Sequence, residues 1–548
     1  MVPIRLVGLV GLAASFLLAP AAPARGQAAG ADAPLTVERV ISLAVRTESE
    51  MIGRMRDLQP MVEAYIQDLS TDTGMAAPPL LDTYFLGRFR WDGGPRLELL
   101  VDEEQGRNVR EAPVNYVPDG FAAMAAPDWE GLSAARYNFT FLRHEFLGEV
   151  QTFVFDVAPR DGPNDGFSGR IWVEHSEFHI VRFNGINRRT RGSWFRRRLT
   201  FHVEGWRVNI GPGVWVPAYV YCEETSEGGV AARDKPHFKS QVRFWGYEPE
   251  LTDLSGEFTS IEILDPAIQD NAGQPSQLPP VESRRRWEED AEVNVLERLE
   301  RARLLAPAGE VEAVLNTVLN NLIVTNGIVL DRPVEARVLL TSPLESFTLG
   351  RTIVVSRGLI DVLPNEASLA MTLAYELAHV VLGHETIDTR FAYADRLMAS
   401  DTEFLGQLRL YRSAEIENAA DTSAIAMLDN SPYADQLPDA GLFLRILASR
   451  ASSLPNLVLP LVGDVIADGG NRLRMAELML RSPELRADDV AQVPALPLGA
   501  RLYIDPWSGR LELLQTASMP PGSIREKAPL EVTPLTPFLT YADEQAAR

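Results

Sequence analysis

Residues 374–384 have the sequence Ala-Tyr-Glu-Leu-Ala-His-Val-Val-Leu-Gly-His, and this stretch decides the fold of the C-terminal half of the chain. The apolar spacing around it predicts a helix over 367–382, which Gly383 ends because glycine readily adopts the left-handed conformation after a helix. Side chains four residues apart share a helix face, so Tyr375 and His379 point the same way. A buried amphipathic helix with one hydrogen-bonded histidine shows the same spacing, and the neighbouring segments have to decide between the two interpretations.

The residues at 375, 376 and 379 match those of a metal-binding helix except at the first of the three positions. In the pattern H-E-x-x-H, both histidines bind one zinc ion and the adjacent glutamate reaches the metal-bound water. Glu376 and His379 keep their places in that pattern, and Tyr375 replaces the first histidine.

A second predicted helix, over 413–428, carries Glu417 and Asp421 four residues apart and therefore on one face. A site of two histidines and one glutamate takes its carboxylate from a separate helix, and an acid one turn later holds a ligand imidazole. The sequence therefore predicts that two helices bring Glu376, His379 and Glu417 together around one point.

The order of these motifs resembles that of a known family, the zinc metallopeptidases typified by the CAAX prenyl protease and the heat-shock protease HtpX, with their periplasmic BepA-type relatives. Two predicted strands within 338–360 precede the motif helix, as in that family, and the agreement extends over 311–471. The resemblance implies a mainly helical, zincin-like metallopeptidase domain with zinc as its cofactor. The roles that it implies are general base for Glu376, zinc ligands for His379 and Glu417, and support of a ligand for Asp421.

Two positions, Tyr375 and Asp468, depart from the family pattern, and His384, at its final position, is no substitute ligand. Tyr375 offers a phenol with an ordinary pKa near 10, which must lose its proton before it binds a metal well, whereas a neutral imidazole binds at pH 7. Asp468 stands where the family has a histidine that stabilises an oxyanion. His384 is predicted to point about 140° away from the ligand face, at ~100° per helical residue. We therefore expect a much reduced affinity for zinc.

Three functions remain open at this point. The first is an exported zinc metalloendopeptidase of envelope proteins with an impaired or altered metal site, in which Tyr375, water or a residue of the N-terminal half completes the coordination. The second is a catalytically inactive relative that binds polypeptide clients as a chaperone or assembly factor. The third is a protein that binds lipid or lipoprotein through its N-terminal half.

The N-terminal half has a different apolar period. The spacing over 35–69 predicts a helix, and the segments after it are short, aromatic and β-branched, with turn residues between them. Nine strands are predicted, over 84–91, 96–101, 137–142, 150–157, 169–173, 179–183, 199–208, 214–222 and 241–247. We expect an α+β fold: an antiparallel β-rich domain, forming a large sheet or half-barrel, followed by the helical domain. The hairpin over 170–183 resembles lipoprotein-carrier folds in topology, and a β-rich accessory domain without a lipid ligand is the alternative.

Composition divides the chain into a signal peptide (1–28), a β-rich domain (29–262), a proline-rich linker (263–284), a metallopeptidase-like domain (285–490) and a C-terminal β-hairpin with a tail (491–548). The signal prediction rests on Arg5, a largely apolar stretch over 6–18 and a small-residue cleavage site over 22–24. We therefore expect a periplasmic or secreted protein without a transmembrane helix. The lone Cys222 offers neither a disulfide within the chain nor a lipid anchor at a processed N-terminus.

The net charge of the chain limits the classes of molecule that it is expected to bind. The 548 residues carry a formal net charge of −23, which repels nucleic acid phosphates. A polypeptide substrate or client is therefore expected, and no nucleic acid. Against this acidic background, Arg196, Arg197 and Arg198 form a basic cluster that could contact a membrane surface or anionic lipid, with a solvated hairpin tip as the alternative.

Overall fold

The structure is a computed structural model of the whole chain. The residues that it describes are 35–69, 80–101, 116–160, 166–188, 200–224, 237–247, 280–384, 387, 391, 400–408, 410, 412–463, 465–468, 472–485, 502–504, 511–513 and 539. The predicted signal peptide, the basic cluster of Arg196, Arg197 and Arg198, and most of the predicted linker lie outside these residues.

The N-terminal half forms one ten-stranded sheet in which every neighbouring pair is antiparallel. Its strands are β1 (Met61–Leu69), β2 (Leu81–Trp91), β3 (Pro95–Leu99), β4 (Tyr137–Leu147), β5 (Val150–Pro159), β6 (Gly166–Glu174), β7 (Ile180–Arg188), β8 (Thr200–Gly211), β9 (Val214–Glu224) and β10 (His237–Trp245). The order across the sheet is β3-β2-β1-β10-β9-β8-β7-β6-β5-β4. Each of the nine predicted segments overlaps one of these strands, and the predicted α+β fold with an antiparallel N-terminal sheet is confirmed.

The prediction of one helix over 35–69 is wrong in its second part. Helix α1 (Val37–Leu58) begins at the capping residue Thr36 and ends at Gln59, which adopts a left-handed conformation with φ 39°. The chain then forms β1, whose side chains pack on both faces of the sheet: Tyr65 joins the core of the C-terminal half, and Ile66 joins the core beneath α1. A strand buried on both faces has no alternation of apolar and polar residues, so its sequence does not distinguish it from a buried helix.

One face of the sheet is covered by α1 and by α2 (Pro118–Ala122). Arg207 of β8 forms a bidentate ion pair with Glu48 of α1, with N–O distances of 2.6 and 2.8 Å. Both side chains are buried, at 1% and 0% exposure. This ion pair fixes the position of α1 on the sheet, because separating the two charges would leave each of them unpaired in a nonpolar core.

The C-terminal half is mainly helical with small sheets. Its helices are α3 (Pro280–Arg301), α4 (Glu310–Thr325), α5 (Arg357–Val362), α6 (Glu366–Val381), α7 (Asp401–Gln407), α8 (Ala414–Asp429), α9 (Leu437–Arg450), α10 (Pro455–Val458) and α11 (Ala476–Arg481). Its strands are β11 (Glu335–Leu339), β12 (Ser346–Leu349), β13 (Thr352–Ser356), β14 (Ala467–Asp468), β15 (Arg472–Leu473), β16 (Leu502–Ile504) and β17 (Leu511–Leu513).

Three strands, not two, precede the motif helix α6. They form a sheet in the order β11-β13-β12, in which β11 pairs with β13 in parallel and β12 pairs with β13 antiparallel. The hairpin of β12 and β13 turns at Gly350, which has a positive φ of 55°. Strand β12 lies at the edge of this sheet, next to α6, and its side chains are therefore available to the motif helix. The predicted C-terminal hairpin is present as β16 and β17.

The two halves are joined by buried polar contacts. Glu63 of β1 accepts hydrogen bonds from the backbone and side chain of Ser342 and from Arg357. Asp82 of β2 accepts the backbone N–H groups of Asn456 and Leu457. Within the described residues, no helix has the length and apolar content needed to cross a membrane.

Candidate active site

The helices α6 and α8 bring the predicted site residues together. The phenol of Tyr375 donates a hydrogen bond of 2.5 Å to Oε2 of Glu417, and the rings of Tyr375 and His379 lie edge to face with centroids 5.0 Å apart. None of Tyr375, Glu376, His379 and Glu417 exposes more than 1% of its surface. The predicted convergence of two helices on one point is thus present, at a buried position.

Glu376 is held by partners on β12. Ser346 Oγ donates to one of its carboxylate oxygens at 2.8 Å, and Thr348 Oγ1 donates to the other at 2.7 Å. These two hydroxyls lie on the same side of the strand because residues two apart in a strand face the same way. The local sequence Ser-Phe-Thr of β12 therefore presents two donors to α6.

Two arginines also approach this carboxylate. Arg474 Nη1 lies 3.1 Å from Oε1 of Glu376, and Arg412 Nη1 lies 3.8 Å from Oε2. Burial by itself would raise the pKa of Glu376, but the positive charges of Arg474 and Arg412 outweigh this effect and hold the pKa below its usual range. Glu376 is therefore an ionised, hydrogen-bonded anion between two cations.

A general base needs an oxygen that can take a proton from water. In this arrangement both oxygens of Glu376 accept hydrogen bonds from hydroxyl groups, and one also accepts from Arg474. A depressed pKa further weakens the carboxylate as a base. The geometry and electrostatics of Glu376 are those of a structural anion.

Tyr375 is held as a neutral phenol. The guanidinium of Arg474 lies over its ring, 4.5 Å from the centroid. Burial raises the pKa of Tyr375 to about 12, with Arg474 opposing and Glu376 adding to the increase. A phenol that keeps its proton and donates a hydrogen bond to Glu417 is a poor metal ligand, because the oxygen must be deprotonated to bind a metal well.

His379 has two different ring environments. Its Nδ1 lies 2.9 Å from Nδ1 of His384, and its Nε2 is buried without a hydrogen-bond partner among the described residues. Burial lowers the pKa of His379 to about 3, so the ring is neutral at pH 7. The prediction that His384 points away from this site is wrong: the chain leaves the helix at Gly383, where φ is 67°, and the helical angle no longer applies.

Two further predicted positions lie near the site. Asp421 accepts the backbone N–H of Met475 at 2.9 Å, and burial raises its pKa. It thereby fixes the turn that carries Arg474 to Glu376. Asp468 forms part of β14, and its side chain lies outside the described residues.

A backbone segment of the chain lies beside strand β12. The carboxylate of Glu345 accepts the backbone N–H groups of residues 461, 462 and 463 at 3.0, 3.0 and 3.2 Å. This holds the segment beside β12, and a Cβ atom on Gly463 would lie 2.9 Å from the carbonyl oxygen of Ser346. Glycine at 463 therefore allows the backbone to approach the start of β12 closely.

The residues do not fit a zinc ion in this arrangement. Nε2 of His379, buried and without a partner among the described residues, is a suitable metal donor, but Oε2 of Glu417 accepts a hydrogen bond from the phenol of Tyr375. Among the described residues, no group of three histidine, cysteine, aspartate or glutamate side chains could hold a metal ion. Structural and catalytic zinc sites use at least three protein ligands, and here only two conventional ones are present.

Four residues of the site were not predicted as its members: Ser346, Thr348, Arg412 and Arg474. Ser346 and Thr348 could have been found from the sequence, because hydroxyl side chains two residues apart in a strand before the motif helix face the same way. The arginines come from positions distant in sequence, and an arginine in an irregular segment carries no local mark of burial.

The comparisons with known proteins concern the two halves of the chain separately. Residues 310–452 match the family model described as peptidase family M48, which supports an M48 metallopeptidase domain in the C-terminal half. No sequence among the curated proteins matches the chain at a significant level.

Two solved structures are similar to other parts of the chain. A LolA superfamily protein from Nitrosomonas europaea has 13% identity and a TM-score of 0.18, over 38% of this chain and 92% of its own. A protein domain from Vibrio parahaemolyticus, described as an outer membrane lipoprotein-sorting protein, has 10% identity and a TM-score of 0.21, over 40% of this chain and 97% of its own. With TM-scores this low, neither likeness indicates what this chain binds.

Proposed function

We propose that this chain is an exported, non-catalytic member of the M48 metallopeptidase family that binds polypeptide clients instead of cleaving them. The observation that carries the proposal is the hydrogen bond from the phenol of Tyr375 to Glu417, which joins two of the three expected ligand positions to each other. The M48 match over 310–452 supports a polypeptide as the client class.

The environment of Glu376 supports the same proposal. A catalytic carboxylate has to contact a water molecule and a substrate, whereas Glu376 is fully buried and bonded to Ser346, Thr348 and Arg474. The segment over 461–463, held by Glu345, lies along the neighbouring strand edge. The former catalytic centre then acts as a polar core that holds α6, α8 and β12 together.

One observation favours a second candidate, a zinc endopeptidase. The buried Nε2 of His379 has no partner among the described residues, and an unsatisfied buried nitrogen is costly unless something binds it. In a conformation without the hydrogen bond from Tyr375 to Glu417, the phenol oxygen of Tyr375, Nε2 of His379 and a carboxylate oxygen of Glu417 would be three donors around one point.

The two candidates differ in metal content and in cleavage. We expect purified protein, exposed to zinc and then to a weak chelator, to retain zinc in fewer than about one chain in ten, since a site with only two conventional ligands binds weakly. We also expect casein to stay intact. Near-stoichiometric zinc together with casein cleavage that disappears in a folded Glu376→Gln variant would overturn the non-catalytic proposal.

The client-binding part has its own test. The protein at equimolar ratio should suppress the aggregation of a chemically unfolded protein, followed by light scattering, both with and without a chelator in the buffer. If light scattering is unchanged and no unfolded client is retained on the immobilised protein, polypeptide binding is excluded even where the metal result stands.

A further inference from the structure

The face of the large sheet that points away from α1 is divided into two parts. Over β1 and β2 it packs on the helical half, through residues such as Tyr65. From β4 to β9 it carries a separate cluster of packed apolar side chains. Trp172 shows the orientation of this cluster, because it lies between Ile171 and Val173, which join the core beneath α1, and successive strand residues face opposite ways.

Four aromatic side chains dominate this cluster and form what we call the aromatic surface: Trp172, Trp206, Trp215 and Tyr219. Three of the nine tryptophans of the chain therefore lie together on one part of one sheet face. Tryptophan and tyrosine are enriched where proteins bind polypeptides, since a large ring buries much area at a small cost in conformational entropy. The composition of this surface is that of a polypeptide-binding site.

Two rings of the aromatic surface are fixed by a cation between them. The guanidinium of Arg182 lies 4.4 Å from the ring centroid of Trp172 and 4.3 Å from that of Trp206. Glu204 accepts hydrogen bonds of 2.6 and 3.0 Å from Arg182, and it also accepts the indole N–H of Trp206 at 3.0 Å. Rings that are already held in place lose little freedom when a ligand binds, which favours affinity.

Among the described residues, one from outside the sheet packs into this cluster. Leu539, near the C-terminal end of the chain, is buried there with 1% exposure. Its carbonyl oxygen accepts the backbone N–H of Glu149 at 3.3 Å, in the turn between β4 and β5. A Cβ atom on Gly148 would lie 2.5 Å from the same oxygen. A side chain in an apolar site with a main-chain hydrogen bond beside it is a common mode of peptide recognition.

A polypeptide client needs a surface that can become accessible. The candidate active site does not offer one, because its four predicted residues are at most 1% exposed and belong to the polar core between α6, α8 and β12. Leu539, by contrast, belongs to neither of the two large cores. Its departure would therefore uncover the aromatic surface without opening either core.

We propose that the aromatic surface binds a large aliphatic side chain of an extended polypeptide, and that the chain's own Leu539 occupies it as an internal competing ligand. This inference rests on the proposed binding of polypeptide clients and adds a position and a regulation to it. Burial of one leucine side chain strengthens binding by about tenfold or more. An internal ligand acts at a high effective concentration because it cannot diffuse away, so a client has to displace it.

The first test measures the binding of a fluorescein-labelled peptide to the full chain by anisotropy. The probe has the sequence of residues 535–543, Leu-Thr-Pro-Phe-Leu-Thr-Tyr-Ala-Asp. Leu539→Asp in the protein displaces the internal ligand, because burying an unpaired charge in an apolar cluster is costly. We expect this variant to bind the peptide at least about tenfold more tightly than the unchanged protein does. Leu480→Asp is the matched control: Leu480 is 76% exposed on α11, and its replacement should leave peptide affinity unchanged.

Two glycines test whether the peptide binds at this position. Gly148 and Gly93 both lie in hairpin turns with positive φ, at 62° and 65°. An added Cβ atom would collide with the ligand backbone at Gly148 and would meet nothing within 4 Å at Gly93. In the Leu539→Asp background, Gly148→Ala should therefore abolish the gain in peptide affinity, whereas Gly93→Ala should preserve it. Both changes strain the turn to a similar degree, so the difference reports the collision.

The inference is overturned if Leu539→Asp and the unchanged protein bind the peptide equally, or if Gly148→Ala and Gly93→Ala have the same effect. The light-scattering assay with an unfolded client separates this failure from that of the proposed function. Equal suppression of aggregation by the unchanged protein and by Leu539→Asp would place clients elsewhere, which overturns the inference and leaves the proposed function standing. No suppression by either protein, together with the expected peptide binding, overturns the proposed function and leaves the internal ligand standing.

Discussion

The phenol oxygen of Tyr375 lies 2.5 Å from Oε2 of Glu417, with both side chains buried. These residues occupy two positions that would bind one zinc ion in the metallopeptidase pattern. Here they bind each other, and the proton of the phenol takes the place of the cation. The same contact that holds α6 against α8 thereby occupies one oxygen of the carboxylate that the pattern assigns to the metal.

Replacing Tyr375 with histidine should restore metal binding. The Tyr375→His variant supplies a neutral imidazole and frees Glu417 from the phenol, so we expect zinc affinity to rise by at least about tenfold, as expected when a missing ligand is returned. Competition with a chromogenic chelator measures this change. Tyr375→Phe is the matched control, because it also frees Glu417 but offers no ligand. Equal zinc uptake by the two variants would mean that the site is placed wrongly.

Glu376 should prove to be important for stability. The Glu376→Gln variant leaves Arg474 and Arg412 with one anion fewer in a buried site, and breaking a buried ion pair costs about 3 kcal/mol or more. Chemical unfolding followed by circular dichroism measures the loss. Glu415→Gln, an exposed change on α8, should alter the unfolding free energy by less than about 0.5 kcal/mol. A stability equal to that of the unchanged protein would contradict the role of Glu376 as a structural anion.

Helix α1 offers a matched pair of glutamates for testing the buried ion pair of the sheet. Glu48→Gln leaves Arg207 buried without its bidentate partner, and we expect a loss of about 3 kcal/mol or more in unfolding free energy. Glu50→Gln removes the exposed pair with Arg46, where the side chains are 65% and 51% exposed, and should cost less than about 0.5 kcal/mol. Tryptophan fluorescence during urea unfolding reports on this sheet. Similar losses in the two variants would show that the Glu48 pair is not a determinant of stability.

The sheet should lose stability in acid because of His179. Burial, followed by the charge of Arg207, lowers the pKa of this histidine to about 4, below the ordinary value near 6.5. The unfolded chain then binds a proton that the folded chain does not, so stability is full above about pH 6.5 and falls as the pH drops towards 4.

The His179→Gln variant removes this titration. Between pH 7 and pH 4.5, the unfolding free energy of the unchanged protein should fall by on the order of 2 kcal/mol more than that of the variant. His144→Gln, at an exposed position on β4, should keep the full pH dependence. An identical pH profile for His179→Gln and the unchanged protein would rule out His179 as the source.

The sequence predicted most of the strands of the large sheet and the two helices of the site, because their apolar spacing and end residues depend only on residues close together in the chain. Nine of the ten strands of the large sheet were found from short β-branched segments between turn residues, and α6 and α8 were found from their apolar period and end residues. Strand β1 was missed because both of its faces are buried: Met61, with 0% exposure, contacts one core and Val62, also at 0%, contacts the other. The apolar residues Met61, Val62, Tyr65 and Ile66, with Glu63, Gln67 and Asp68 among them, do not alternate with the period of a strand and fit a helical spacing as well.

The candidate site, like the fold, could be predicted from the sequence only in part. The spacing of Tyr375 with His379, and of Glu417 with Asp421, determined which side chains share a helix face, because the geometry of a helix depends only on residues nearby. Whether Glu376 can act as a base depends on partners from β12, from Arg412 and from Arg474, which lie far away in the chain. The identity of Tyr375 was plain in the sequence, but only the packing of α6 on α8 decided that its hydroxyl donates a hydrogen bond to Glu417. Burial and charge at one point are sums over the whole fold, and no local pattern contains them.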